Sequence, residues 1–143
     1  MSAVASRRVV LTGVGFVSPL GCGSEWVWQR LLQGKGGIVS LKEAKGDDLL
    51  TKTRQECGVH LGAIVPRGSS EHEFDARSAF GASVDREVAL FSQFAVVAGD
   101  IALMHAGLPS PTDFKAGVEQ FINLDRAGVS MASGIGAMDV SCS

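Results

Sequence analysis

A chain of 143 residues has room for one ordinary domain with its own core and not comfortably for two. Its 13 lysines and arginines stand against 15 aspartates and glutamates with no basic block, so nucleic acid and anionic membranes have no electrostatic footprint to meet. No apolar run reaches the roughly 18 residues that span a bilayer. The opening MSAVASRR lacks the apolar stretch of a secretory signal, and an intracellular protein is expected.

Charged residues make up 20% of the chain, against about 25% in ordinary soluble domains, and 18 glycines exceed the roughly ten of average usage. That balance suits a tightly turned α/β interior. Cys22, Cys57 and Cys142 are odd in number and form no CxxC pair, which argues against a disulfide framework and a structural zinc site. His60, His72 and His105 are scattered and form no HExxH pair, so neither a metal nor a cofactor is expected.

Residues 9–12 are a short β-branched apolar run closed by Gly13, the pattern of a strand covered on both faces. Ser24 is placed to cap a helix, Glu25 falls in its first turn, and Val27, Trp28, Leu31 and Leu32 recur at three and four before Gly34 ends it. Residues 35–48 mix glycine with lysine and acids and read as a surface loop. Residues 59–65 form a second candidate strand closed by Pro66, and residues 67–73 return to loop composition.

The strongest periodicity spans residues 85–106. Leu90, Phe94, Val97, Ile101, Met104 and Leu108 step by four and three, and Phe91, Ala95, Ala98 and Ala102 form a second stripe. A helix apolar over so much of its girth is expected to be buried. Asp85 and Glu87 open it, His105 adds a charge in its last turn, Gly107 supplies a left-handed cap, and Pro109 prevents continuation. Residues 127–132 read as a strand running into Ser133-Gly134-Ile135-Gly136, and no repeat of solenoid period occurs.

Several residues invite chemistry and also have plain readings. Gly13-x-Gly15 after a strand suggests a dinucleotide turn, but Ser18 holds the third glycine position and no acidic residue closes a second strand about 20 residues on, which favours a simple tight turn. Cys22, between two glycines, would be a nucleophile if a helix N-terminus lowered its pKa; a small buried cysteine is the simpler reading. Cys57 suits core or edge packing, and Cys142 lies in a tail. His60 alternates with apolar neighbours and points outward. Trp26 and Trp28 are too close to share a helix face, so one packs and the other is partly exposed. Gly134 and Gly136 leave room beside Ile135, as an apolar slot or as plain packing.

Taken together, RRVVLTGVGFVSPLG at residues 7–21, Trp28, Leu31-Leu32-x-Gly34, Gly37-Ile38, Phe91-x-x-x-Ala95-x-x-Ala98, Gly107-Leu108 and Gly128-Val129-x-Met131-Ala132-Ser133-Gly134-Ile135-Gly136 resemble the β-ketoacyl-acyl carrier protein synthases. These are the elongating condensing enzymes of the thiolase-like superfamily. Ala63-Ile64-Val65-Pro66-Arg67-Gly68-Ser69 resembles the mitochondrial-type members, so a mitochondrial address is implied beside a cytoplasmic one.

The resemblance implies a thiolase-like layered α/β/α/β/α fold, of which this chain is an incomplete first half. Residues 7–138 correspond to the synthase domain, residues 1–6 to an N-terminal tail and residues 139–143 to a divergent tail. It also implies that the glycine break after Thr12 is structural. The family's catalytic cysteine, two histidines and lysine fall beyond this segment, so no catalytic residue is assigned and the chain alone is expected to be inactive. Ile135, flanked by Gly134 and Gly136, matches the side chain that gates the acyl pocket. Acyl carrier protein bearing acyl or malonyl groups, and a second subunit in a homodimer, are the implied partners. A non-catalytic module that binds acyl carrier protein or a synthase subunit is the alternative, and a nucleotide-binding domain is the weaker one. A helix meant to be covered on both sides also predicts an exposed apolar patch and poor solubility in the chain alone.

Overall fold

The computed structural model describes residues 8–41, 58, 60–81, 88–109 and 120–134. The regular structure of these residues consists of two short antiparallel strand pairs, three helices and a 3-10 turn. Strands β1 (Val17–Ser18) and β2 (Gly21–Cys22) pair Val17 with Cys22 and Ser18 with Gly21. The helix α1 (Ser24–Leu32) follows at once. Strand β3 (Ile38–Ser40) pairs with β4 (Leu61–Ala63) in the register Ile38 with Ala63 and Ser40 with Leu61. Then come α2 (Ala76–Phe80), α3 (Leu90–His105) and a 3-10 turn at Leu124–Arg126.

Both long helices end as their sequences predict. Gly34, at φ 67°, follows α1, with its N–H on Leu31 O and the Lys35 N–H on Arg30 O, each at 3.0 Å. Gly107, at φ 78°, repeats this after α3, with Leu108 N on Leu103 O at 3.0 Å. The paired bonds cap otherwise orphaned carbonyls, and only glycine reaches the left-handed conformation without steric cost. At the start of α1 the expectation shifts by one residue. Gly23 is the N-cap with no side-chain bond, and Ser24 sends its hydroxyl to the Val14 carbonyl instead.

Helix α2 is short and depends on its cap. Asp75 Oδ1 accepts from Arg77 N at 3.0 Å and Ser78 N at 3.1 Å. Replacing Asp75 with alanine is expected to cost about 1 kcal/mol. Urea unfolding followed by circular dichroism checks this, and Asp75→Asn should recover most of the loss.

Four sequence expectations are corrected. Residues 9–12 pair with no strand among the described residues, and Val9 and Leu11 are 91% and 89% exposed. Residues 127–132 likewise form no ladder, and Val129 is 89% exposed. Both runs have the composition of central strands, and a strand exists only where a neighbour accepts its backbone hydrogen bonds. The third correction is β3, which lies inside the segment read as a loop. Its three residues Ile38-Val39-Ser40 are β-formers, and β4 supplies their partners. The 59–65 strand is correspondingly shorter than expected, at Leu61–Ala63, and Val59 lies outside the described residues.

The fourth correction concerns α3, whose flanking Asp85 and Glu87 lie outside the described residues. The helix forms, but only Gln93 is buried along it, and Phe91, Val96 and Met104 are exposed. Among the described residues the buried apolar side chains are Cys22, Val27, Leu41 and Phe74, with Phe74 edge-on to Phe94 at 4.7 Å between ring centroids. The Gly13 to Gly15 segment lies directly on α3. A Cβ on Gly15 would overlap the Ala98 carbonyl oxygen, and one on Gly13 the Ala102 carbonyl oxygen.

Candidate functional site

The most chemically varied cluster gathers where β2 meets the 67–74 loop. Trp26 and His72 stack with ring centroids 3.9 Å apart and planes 11° from parallel. Trp26 Nε1 donates to the Leu20 carbonyl at 3.1 Å, and the Arg30 guanidinium carbon lies 5.5 Å from the Trp26 ring centroid. Around them is an open cleft of about 380 Å³ whose walls include Pro19, Leu20, Trp26, Arg30, Pro66 and His72. Helix α1 places Trp26 and Arg30 on one side, four residues apart, while the loop closed by the Arg67–Phe74 bridge brings His72 to the other.

Cys22 and His72 meet here, 50 positions apart in sequence, but through their backbones. Cys22 N donates to the His72 carbonyl at 2.9 Å, while the imidazole lies flat on Trp26. A thiolate nucleophile needs a base within hydrogen-bond reach or a favourable electrostatic setting. Cys22 has the opposite setting, because burial pushes its thiol pKa above the ordinary value. The plain reading of Cys22 as a core residue therefore holds.

Alkylation by iodoacetamide at pH 8.5 should be at least about tenfold slower at Cys22 than at a free thiol, because both thiolate fraction and access fall with burial. A variant with Cys57 and Cys142 replaced by serine isolates the signal. A rate matching the free thiol would show that Cys22 is not enclosed.

The Gly13-x-Gly15 turn is closed to a pyrophosphate. Its glycines face the backbone of α3, and Val14 N donates to His105 Nδ1 at 3.1 Å. This packing suits the simple tight turn that the sequence favours over a dinucleotide site, with helix backbone in the space a phosphate would need. His60 is exposed and takes part through its carbonyl, which accepts from Leu41 N at 2.9 Å. Trp26 stacks on His72 yet is itself 36% exposed, and Trp28 is 53% exposed, so the expected division into one packed and one exposed tryptophan is only partial. Of the acyl-gate candidates, Gly134 is exposed with nothing within 4 Å of a would-be Cβ, and Ile135 and Gly136 lie outside the described residues, as do Cys57 and Cys142. Sequence spacing had no means of finding the Trp26–His72 stack, since its halves come from separate elements.

The described residues thus define a mixed α/β unit whose one described cysteine, Cys22, is buried with its thiol pKa raised by that burial. Residues 6–141 match the family model "Beta-ketoacyl synthase, N-terminal domain", and the chain belongs to that family. Among curated relatives, it is 38% identical over 139 residues to the mitochondrial 3-oxoacyl-[acyl-carrier-protein] synthase of Arabidopsis thaliana, covering 92% of this chain. It is 36% identical to 3-oxoacyl-[acyl-carrier-protein] synthase 2 of Rhizobium meliloti, covering 93% of this chain, and 32% identical to the 3-oxoacyl-[acyl-carrier-protein] synthase homolog of Saccharomyces cerevisiae, also covering 93%. The chain spans 28%, 28% and 30% of the lengths of these three relatives.

Proposed function

We propose that this chain is the N-terminal portion of a mitochondrial-type 3-oxoacyl-[acyl-carrier-protein] synthase, which elongates fatty acids by condensing an acyl thioester with malonyl-acyl carrier protein as carbon dioxide leaves. The observation that carries this reading is the 38% identity along 92% of the chain to a relative of which it spans 28%. In this reading, residues 7–138 are an incomplete first half of the layered α/β/α/β/α fold, flanked by residues 1–6 and a divergent tail at 139–143. Acyl carrier protein and a second synthase subunit are the partners of the whole enzyme. In this reading the 143-residue chain does not condense acyl groups alone.

Ile135, with Gly134 and Gly136 beside it, gates the acyl pocket of the whole enzyme. The test joins this chain to the remaining length of the Arabidopsis thaliana relative and assays 3-oxoacyl formation from acyl and malonyl carrier proteins. The chain alone should give no turnover, and the joined protein should be active. In the joined protein, Ile135→Phe should lower kcat/KM for medium-length acyl groups about tenfold or more while sparing the shortest ones, because pocket overlap of a few methylenes costs on this scale. Turnover by the chain alone would overturn the reading, and unchanged medium-chain transfer would remove Ile135 from the gate.

A further inference from the structure

A second cleft, of about 390 Å³, lies between residues 67–77 and the first turn of α3. Arg67, Phe74, Asp75, Arg77, Leu90 and Gln93 are among the residues that wall it. Leu90 and Gln93 are three residues apart on α3, so they share the face that meets the cleft. Gln93 is 2% exposed and is the one buried polar side chain among the described residues.

Half of the Gln93 amide is satisfied. Nε2 donates to the Val88 carbonyl at 2.7 Å, while Oε1 is buried with no hydrogen-bond partner. A carbonyl can only accept, so Val88 fixes which way the amide faces and leaves Oε1 as an acceptor without a donor. Buried side-chain oxygens are paired in the large majority of cases, and an exception in the wall of a cleft marks a place for a ligand's N–H or O–H.

The other walls narrow the ligand. Arg67 and Arg77 bring two positive charges against the single negative charge of Asp75, whose Oδ1 is already engaged by the Arg77 and Ser78 N–H groups. Arg77 has no ion pair among the described residues. One excess positive charge matches a carboxylate better than a phosphate monoester, which carries about −1.5 to −2 near pH 7. A planar guanidinium also fits the planar carboxylate. Phe74 and Leu90 add apolar surface for a short side chain, and the volume falls within the range of about 300–1,000 Å³ usual for small-molecule sites.

We propose that this cleft binds a small organic carboxylate that also carries an amide N–H and a short apolar group, the N–H donating to Gln93 Oε1 and the carboxylate pairing with Arg77. An N-acylated amino acid is the simplest molecule of this kind.

Saturation-transfer NMR titration of the 143-residue chain with N-acetyl-L-alanine tests this, and saturable binding is expected. O-acetyl-L-lactate, which has an ester oxygen in place of the N–H, should bind about tenfold or more weakly, because Oε1 then faces another acceptor. N-acetyl-L-alaninamide, which lacks the charge, and inorganic phosphate should each fail to displace N-acetyl-L-alanine at equal concentration. Arg77 is exposed, so Arg77→Gln should fold normally and weaken binding about threefold or more. In Gln93→Leu the preference for the amide over the ester should vanish; the ester comparison and Arg77→Gln keep the test decisive where that variant fails to fold. Absence of saturable binding would overturn the proposal. So would equal affinity for amide and ester in the unsubstituted chain, unchanged affinity in Arg77→Gln, or displacement by N-acetyl-L-alaninamide or phosphate.

Discussion

Gly15→Val should be among the most damaging single substitutions in the described part of the chain, with a loss of about 3 kcal/mol or more. The new side chain would begin where the Ala98 carbonyl oxygen stands, and a helix backbone cannot yield as a flexible side chain can. Gly34→Ala provides the comparison, because its cost comes from φ 67° alone, with nothing within 4 Å of a Cβ there. That conformational cost is about 1 kcal/mol. Urea unfolding of the two variants separates steric exclusion from backbone strain. Equal losses would mean that the Gly13 to Gly15 turn does not rest on α3.

The second large effect concerns apolar surface. Trp28, Leu31 and Leu32 form the stripe that the sequence marks on α1, yet they are 53%, 49% and 64% exposed, and Ile38 and Leu61 leave one face of the second hairpin open. Fully burying such side chains stabilises by about 1.5–3 kcal/mol each, so this exposed set is a strong drive to associate. Sedimentation velocity on the 143-residue chain at micromolar concentration should therefore show species several times heavier than the 14.9 kDa monomer. Replacing Trp28, Leu31 and Leu32 with glutamine should shift the distribution toward monomer. A clean monomer with a sharp cooperative melt in the unsubstituted chain would contradict this expectation.

What was legible in the sequence divides by the range of the interaction that fixes each feature. Helix α1 and helix α3 were readable because periodicity and a glycine stop, joined after α3 by Pro109, act within a few residues. Their Schellman caps at Gly34 and Gly107 form where the sequence places them. Strands were less legible, because a ladder requires a partner that composition does not name. Residues 9–12 and 127–132 look like strands and have none among the described residues, whereas Ile38–Ser40 hid in a glycine-rich run and found β4.

The candidate site shows the same division. The sequence suggested that Cys22 was ordinary, and its burial and raised pKa agree. It could not pair Trp26 with His72, nor show that Val14 would be held by His105 and Ser24, since those contacts depend on tertiary placement. Family membership was legible because the motifs at residues 7–21 and 128–136 carry it directly, and residues 6–141 match the family.

The most direct test of the proposed function is the intact mass of the native polypeptide, captured with an antibody against residues 67–73. A mass about three to four times 14.9 kDa is expected, because the chain spans 28% of its Arabidopsis thaliana relative. A native mass of 14.9 kDa would contradict the assignment to a longer synthase and leave a short protein without the family's catalytic segment.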